Sequence, residues 1–395
     1  MSPKAFLITS LSGRVLARAA ARARRPVVGI DAFADRDTCG MAMNWTRSPL
    51  DRHGIFDTAA MLDAADSLCP PAACLGLIYG SGFEARPALL RGLAKDRTLL
   101  GNGPEVLEAI ADPLRFSDLL ATLGIPHPAT RLSRPAQVAG WLSKRAGACG
   151  GTHVRPAACA PSEEEAGRYF QQQIAGEEWS FLFLANGGGI CPVGFNQPLA
   201  TPSEAIGNWS YAGATRRDAG PPEFGDAVTE AARVLTAKLG LVGLNGIDFI
   251  VTRSGWVLLE LNPRPPATLE LWDVPLLPSL FDLHIEACQG RLPKRLPRPD
   301  GSMTVAVVYA KARTAIPADF AWPEWCADLP WADSVIEAGE PLCTVRAEGP
   351  DAASARYRAL GRRQEILERL DRPAAAAAGR QARRHTQPTL VLQTR

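Results

Sequence analysis

The chain has 395 residues, 46% of them hydrophobic and 21% charged, with 43 Lys and Arg against 41 Asp and Glu for a net charge of +2. That length suits two or three domains, with enough buried surface to need neither disulfide nor metal for stability. The charge balance excludes the large basic excess of a general nucleic-acid binder. No apolar run approaches the ~18 residues of a membrane span, and the run from Ala5 to Ile8 is too short for a signal-peptide core. A cytoplasmic protein without a membrane or nucleic-acid partner is expected. The nine cysteines are odd in number and no pair has CxxC spacing, so they read as small buried hydrophobes.

The first elements are a strand over Ala5 to Thr9, a helix over Arg14 to Arg24 and a strand over Pro26 to Ile30, a βαβ opening of a parallel sheet. Arg14, Arg18 and Arg22 recur at i, i+4 spacing and read as a solvated stripe. A strand over Leu75 to Tyr79 runs into Gly80-Ser-Gly-Phe-Glu84, with a helix from Arg86, a short strand over Thr98 to Leu100 and a helix over Pro104 to Ala111. Helix Leu114 to Leu123 stops at Gly124, with Pro126 beyond. Trp141 to Lys144 reads as a strand before the turn Gly147 to Gly151, and Ser162 as the start of a helix reaching Ile174. Ser180 to Ala185 and Ile190 to Phe195 form a hairpin across Asn186-Gly-Gly-Gly189. After a helix over Phe224 to Leu239, a second hairpin joins Gly246 to Thr252 with Trp256 to Leu261, and a helix follows over Leu277 to Cys288. Strands over Thr304 to Tyr309 and Pro341 to Arg346 flank a loop holding Trp322, Trp325 and Trp331. A helix over Ala352 to Leu370 then precedes an alanine-rich, basic tail from 373, expected to be loose.

Three clusters carry chemistry. In Asp248 to Arg264, alternation places Leu258 and Glu260 on one strand face with Asn262 after them, and the hairpin brings Asp248 alongside. Two carboxylates this close in an apolar strand repel unless a cation lies between them. Oxygen ligands such as Asp248, Glu260 and Asn262 favour Mg²⁺ or Mn²⁺. Arg264, at the edge of the same site, can hold a phosphoryl or carboxylate group in a bidentate fork. Lys144 precedes Gly147, Gly150 and Gly151, a pattern that can place an ammonium and turn N–H groups on nucleotide phosphates, although it is neither GxxxxGK[ST] nor GxGxxG. Finally, Gln171 to Glu178 passes from a helix to a strand, where an adenine could lie between two lobes.

The order of these clusters over Asp112 to Gly290 resembles the ATP-grasp superfamily of carboxylate–amine and carboxylate–thiol ligases. Glu260-Leu-Asn262-Pro-Arg264 is similar to that family's E-x-N-x-R motif, with Asp248 as the upstream acidic metal ligand. Lys144 is similar to its phosphate lysine, Gln172 to Ile174 to its adenine linker, and Glu178 to its ribose carboxylate. The resemblance implies an α/β (α+β) ATP-grasp fold: an open α/β pre-grasp domain (1–102), a small lobe with the glycine loop (103–195), a large lobe with the metal site (196–300), a β-rich C-terminal subdomain (301–372) and a basic tail (373–395). It also implies ATP and Mg²⁺ or Mn²⁺ as cofactors, small carboxylate and amine substrates, room for a homodimer, and catalysis by Lys144 and Arg264. Pro113 stands where the family often has a lysine, which leaves Arg115 to serve the phosphates. No residue after Arg264 matches the acid/base group of the carboxylases; Glu270 is only a neighbour. The C-terminal strands and Trp-rich loop look like ATP-grasp proteins of one-carbon metabolism, including tyramine–glutamate ligases of methanofuran biosynthesis. The alternatives are a nucleotide-binding regulator and a nicotinamide-dependent dehydrogenase. Ser10-Leu-Ser-Gly13 lacks the three glycines that the dehydrogenase needs.

Overall fold

The computed structural model describes residues 3–51, 54–161, 167–201, 209–275 and 277–384, with side chains through 371. Its N-terminal part runs β1 (Ala5–Thr9), α1 (Arg14–Arg22), β2 (Val27–Asp31), α2 (Arg36–Met41), β3 (Asn44–Arg47), α3 (Thr58–Leu68), β4 (Cys74–Tyr79) and α4 (Pro87–Ala94). The four strands form a parallel sheet in the order β3-β2-β1-β4. Helices cover both faces, which is why all five residues of β2 are buried and none alternates. The strand order reverses at β1. The loops after β1 and β4 therefore open into the crevice where open α/β sheets place their ligands.

Helices α5 (Pro104–Ala111) and α6 (Pro113–Thr122) each begin with proline in the first turn. This gives Pro113 a structural role, since proline at that position forfeits only an N–H that has no helical partner. Asp112 caps the same helix, accepting from the N–H groups of Leu114 (2.9 Å) and Arg115 (3.1 Å).

The small lobe is an antiparallel sheet of β5 (Thr130–Arg131), β6 (Trp141–Arg145), β7 (Arg155–Pro156) and β8 (Arg168–Gln172), in the order β5-β8-β6-β7. Here the sequence-based expectation of a helix over Ser162 to Ile174 is corrected. Residues 162–166 lie outside the described residues, and Arg168–Gln172 is a central strand bonded to β5 and β6. Tyr169 and Phe170 suit a pleated surface, and ladder pairing on both sides overrides the acidic, helix-like start of the segment.

The large sheet comprises β9 (Glu177–Asn186), β10 (Ile190–Pro198), β11 (Gly213–Arg217), β12 (Val242–Thr252), β13 (Gly255–Asn262), β14 (Ser302–Tyr309), β16 (Cys326–Ala327) and β18 (Pro341–Gly349). Its order is β13-β12-β9-β10-β11-β14-β18-β16, while β15 (Thr314–Ala315) and β17 (Val335–Ile336) pair separately. The expected division at 195/196 falls inside β10, whose partner β9 pairs along its length with β12. The strands assigned to a C-terminal subdomain continue the same sheet through the β11–β14 pairing. Helix α7 (Gly225–Leu239) packs Val228, Ala232 and Leu235 against Phe183, Phe249 and Leu258. Helix α8 spans Leu280–Cys288, and α9 runs from Ala352 through Arg384, past the point where the loose tail was expected. Five consecutive alanines give that stretch high helix propensity.

The N-terminal domain shares a core with the rest. Leu16, Ala17 and Ala20 of α1 cluster with Leu271 and Phe281, and the Phe6 and Phe281 rings meet edge-on at 5.6 Å. The arginine stripe on α1 is consequently not a solvated face. Arg14 is 3% exposed and forms a two-pronged bond to Glu270 (2.9 and 2.5 Å). Arg18 reaches the same carboxylate at 3.1 Å, and Arg22 forks onto Asp273 at 2.8 and 2.5 Å. The i, i+4 spacing aligns these cations with an acidic segment of the large lobe rather than with water.

Candidate active site

The β12–β13 hairpin places Asp248 opposite Glu260 and Gly246 opposite Asn262, with a bulge just after Asp248. Directly opposed side chains on one face stand about 5 Å apart, so the two carboxyl groups share a site. Asp248 is half-buried, and Glu260 opens onto the cleft at its surface although protein surrounds it closely. Burial first, and the Glu260 charge second, push the Asp248 carboxyl up to about 7, against the pull of Arg264 and a hydrogen bond from Asn262. Burial raises Glu260 too, opposed by Lys144 and Arg264. The pair is short of positive charge.

Asn262 and Arg264 are buried and oriented. Asn262 Nδ2 donates to Asp248 Oδ2 at 2.8 Å, and Arg264 Nη2 donates to Asn262 Oδ1 at 2.9 Å. Arg264 Nε donates to Glu84 Oε1 at 2.6 Å, so the guanidinium is also held by the N-terminal domain. Across the cleft, Lys144 on β6 donates to Gln171 Oε1 at 2.7 Å. Burial lowers the ammonium, against the pull of Glu260, Asp248 and Glu178. A small-lobe lysine thus faces the large-lobe carboxylates.

The glycine turn folds over the cleft. Gly151 has φ +76°, and a Cβ there would come within 1.7 Å of the Trp209 carbonyl oxygen. Gly147 has φ +66°, and its Cβ would lie 2.6 Å from Ala85 Cα. Both positions need glycine for conformation and for space. Gly150 accepts the Tyr211 N–H at 3.1 Å. Gln172 ends β8, Ile174 lies on the segment joining β8 to β9, and Glu178, near the start of β9, stands opposite Ile250. The structure therefore gathers Lys144, Glu178, Asp248, Glu260, Asn262 and Arg264 around one cleft, with the glycine turn above it. Arg115 is apart from them: its side chain is 82% exposed and pairs with Asp112 at 3.6 Å.

Several residues at this cleft escaped sequence reasoning. Gln171 was visible only as part of a polar run. Tyr169 lies opposite Lys144 in the β6–β8 ladder and within the field of Glu260. His153, just after the glycine turn, is held down at about 4 by burial and by Lys144, Arg145 and Arg155, and its Nδ1 is buried without a partner among the described residues. Glu84 had a readable signal, a glycine-rich loop at the C-terminal end of a parallel strand. Among the described residues, no group of three or more His, Cys, Asp or Glu is arranged to hold a metal. The donor set here is instead two carboxylates and one carboxamide.

Residues 110–268 match the model of the family described as the ATP-grasp domain. The chain carries an ATP-grasp domain. That match contains Lys144, the glycine turn, Glu178, Asp248, Glu260, Asn262 and Arg264, and stops just before Glu270. The chain is 22% identical over 307 residues to an uncharacterized protein of Methanocaldococcus jannaschii, covering 74% of each. Its ATP-grasp fold is similar to biotin carboxylase from Campylobacter jejuni (TM-score 0.67, 13% identity, 88% of each chain covered). It is also similar to N5-carboxyaminoimidazole synthetase from Staphylococcus aureus complexed with ADP (TM-score 0.64, 14% identity, 92% of this chain and 99% of that one). A third likeness is the biotin carboxylase domain of Hydrogenobacter thermophilus 2-oxoglutarate carboxylase with MgADP and bicarbonate (TM-score 0.67, 13% identity, 89% and 88% covered). No helix among the described residues is long and apolar enough to cross a membrane.

Proposed function

We propose that the chain is an ATP- and Mg²⁺-dependent ligase of the cytoplasm that activates a small carboxylate as an acyl phosphate for attack by an amine. The observation that carries this reading is the opposition of Lys144 to the Asp248–Glu260 pair across the cleft between two lobes. A divalent cation fits the donor set. Both carboxyl groups are raised by burial, Asp248 further by Glu260, despite the opposing pull of Lys144 and Arg264, and oxygen donors suit Mg²⁺ or Mn²⁺. Asp248 and Glu260 would hold the ion. Asn262 would add an oxygen after its amide turns, since Oδ1 now faces Arg264 and Nδ2 faces Asp248. When bound, the ion would supply charge neutralisation for the nucleotide phosphates.

The chain's own residues do the rest by position and electrostatics. Lys144 places its ammonium on the phosphates, and N–H groups of the turn at Gly147, Gly150 and Gly151 cover them and keep out water. Gln172 and Ile174 border the base, and Glu178 accepts from the ribose hydroxyls. Arg264, held on two sides, presents its remaining N–H groups to the group being transferred. A carboxylate oxygen attacks the terminal phosphorus as ADP leaves, and the amine then displaces phosphate from the acyl carbon. Within this class we infer a cofactor-building ligation of the tyramine– or tyrosine–glutamate type as the first pair to assay. The test is an ADP-release screen over carboxylates and amines, with glutamate, tyramine and tyrosine included. Release should require both partners and vanish in Glu260→Ala. Release indifferent to Glu260 would remove the reading.

A further inference from the structure

The hydrogen bonds around Arg264 form a continuous line that begins outside the ATP-grasp match. Glu84 lies in the loop after β4, in the N-terminal domain. Its Oε2 accepts the Gly82 N–H at 2.8 Å, which fixes the carboxylate within its own turn. Its Oε1 accepts from Arg264 Nε at 2.6 Å, Arg264 Nη2 donates to Asn262 Oδ1 at 2.9 Å, and Asn262 Nδ2 donates to Asp248 Oδ2 at 2.8 Å. The Glu84 and Arg264 side chains are only 13% and 9% exposed. The next residue, Ala85, is the one whose backbone leaves Gly147 no room for a side chain. One loop of the N-terminal domain therefore touches the glycine turn and orients the line of groups that ends on the strand carboxylates.

We propose that Glu84 is a positioning residue: by holding Arg264 it keeps the guanidinium off Asp248 when the Asn262 amide turns, so that the N-terminal domain controls how the grasp domain takes up a divalent cation with ATP. This rests on the ligase reading above. The reason is electrostatic as well as geometric. With Glu84 present, the Arg264 charge is balanced by a carboxylate 2.6 Å from its Nε. Without it, an unbalanced guanidinium stands beside the cation's donors and is free to compete with the cation for Asp248. Partners that orient metal ligands are worth roughly ten- to a hundredfold in metal affinity.

The test is binding of preformed Mn²⁺–ATP to the full chain, read by isothermal titration calorimetry. Glu84→Gln, which keeps shape and loses charge, should weaken Mn²⁺–ATP binding by roughly tenfold or more. Glu84→Asp should recover part of that loss, and Glu105→Gln, an exposed carboxylate of α5, should bind as wild type does. Because Glu84 acts through Arg264, Glu84→Gln combined with Arg264→Lys should bind no more weakly than Arg264→Lys alone. Wild-type affinity in Glu84→Gln, or losses that add in the double variant, overturns the proposal alone. If wild type itself takes up no Mn²⁺ with ATP, the ligase reading falls and this inference with it.

Discussion

Two groups of carboxylates closely surrounded by protein, Glu270 in the core and the Asp248–Glu260 pair at the cleft, stand in opposite electrostatic states. Burial disfavours the charged form in both. At Glu270 it is overcome: Arg14 by charge and hydrogen bond, then Arg18 and Arg346, hold the carboxyl down at about 2. At Asp248 burial wins, Glu260 adds to it, and the group rises to about 7. The contrast separates structure from function. Glu270 has its cations built in and joins the N-terminal domain to the large lobe. The cleft pair is opposed only in part by Lys144 and Arg264, and under the proposed function a divalent cation would supply the rest.

The largest effect should come from breaking the satisfied group. Glu270→Ala takes the two-pronged acceptor from buried Arg14, leaving it paired with Asp328 at 2.7 Å, and should cost about 3 kcal/mol of unfolding free energy in urea titration. A loss under about 1 kcal/mol would mean that Arg14 relaxes to solvent and that the domain junction is loose. Asp248→Asn or Glu260→Gln should do the reverse. Either removes one of two repelling carboxyl groups, so stability without ligand should hold or rise slightly, while Mn²⁺–ATP binding should fall at least tenfold. If these variants unfold the protein instead, the pair is structural and the comparison collapses.

Acid titration sharpens the same contrast. The folded Glu270 lies below the unfolded carboxyl value, so its contribution is fully present above about pH 4.5 and is lost as pH falls toward about 2. Urea midpoints measured from pH 5 to pH 2.5 should fall in wild type and fall less steeply in Glu270→Gln. Equal slopes would show that other carboxyl groups govern acid unfolding.

The cleft pair was legible in the sequence because its signal is local. Alternation over Gly246 to Thr252 and Trp256 to Leu261, with Arg253-Ser-Gly255 between, specifies a hairpin, and the hairpin sets Asp248 against Glu260. Lys144 was legible as a strand residue before a glycine turn. The satisfied group was not legible, since Arg14 and Glu270 are 256 residues apart. Spacing on α1 shows that three arginines share a face but not what that face meets. The contact of Glu84 with Arg264, 180 residues away, escaped for the same reason. The strand Arg168–Gln172 was misjudged because its pairing with β5 and β6 is tertiary, while the charges ahead of it are local.

The smallest expected effect tests where the cleft ends. Resemblance to the family offers Arg115 to the ATP phosphates, but its side chain is 82% exposed and lies 3.6 Å from Asp112, whose carboxylate already caps α6. An exposed pair of this kind is screened by water and contributes little. Arg115→Ala should therefore change stability by less than about 0.5 kcal/mol, and ATP affinity in the presence of Mn²⁺ should change less than about twofold, since an exposed group forfeits little binding energy. Asp112→Ala should cost about 1 kcal/mol, because it deprives two N–H groups of their acceptor. A tenfold loss of ATP affinity in Arg115→Ala would mean that α6 swings over the cleft when nucleotide binds. Arg115 would then join Lys144 as a cation supplied to the phosphates from outside the large sheet.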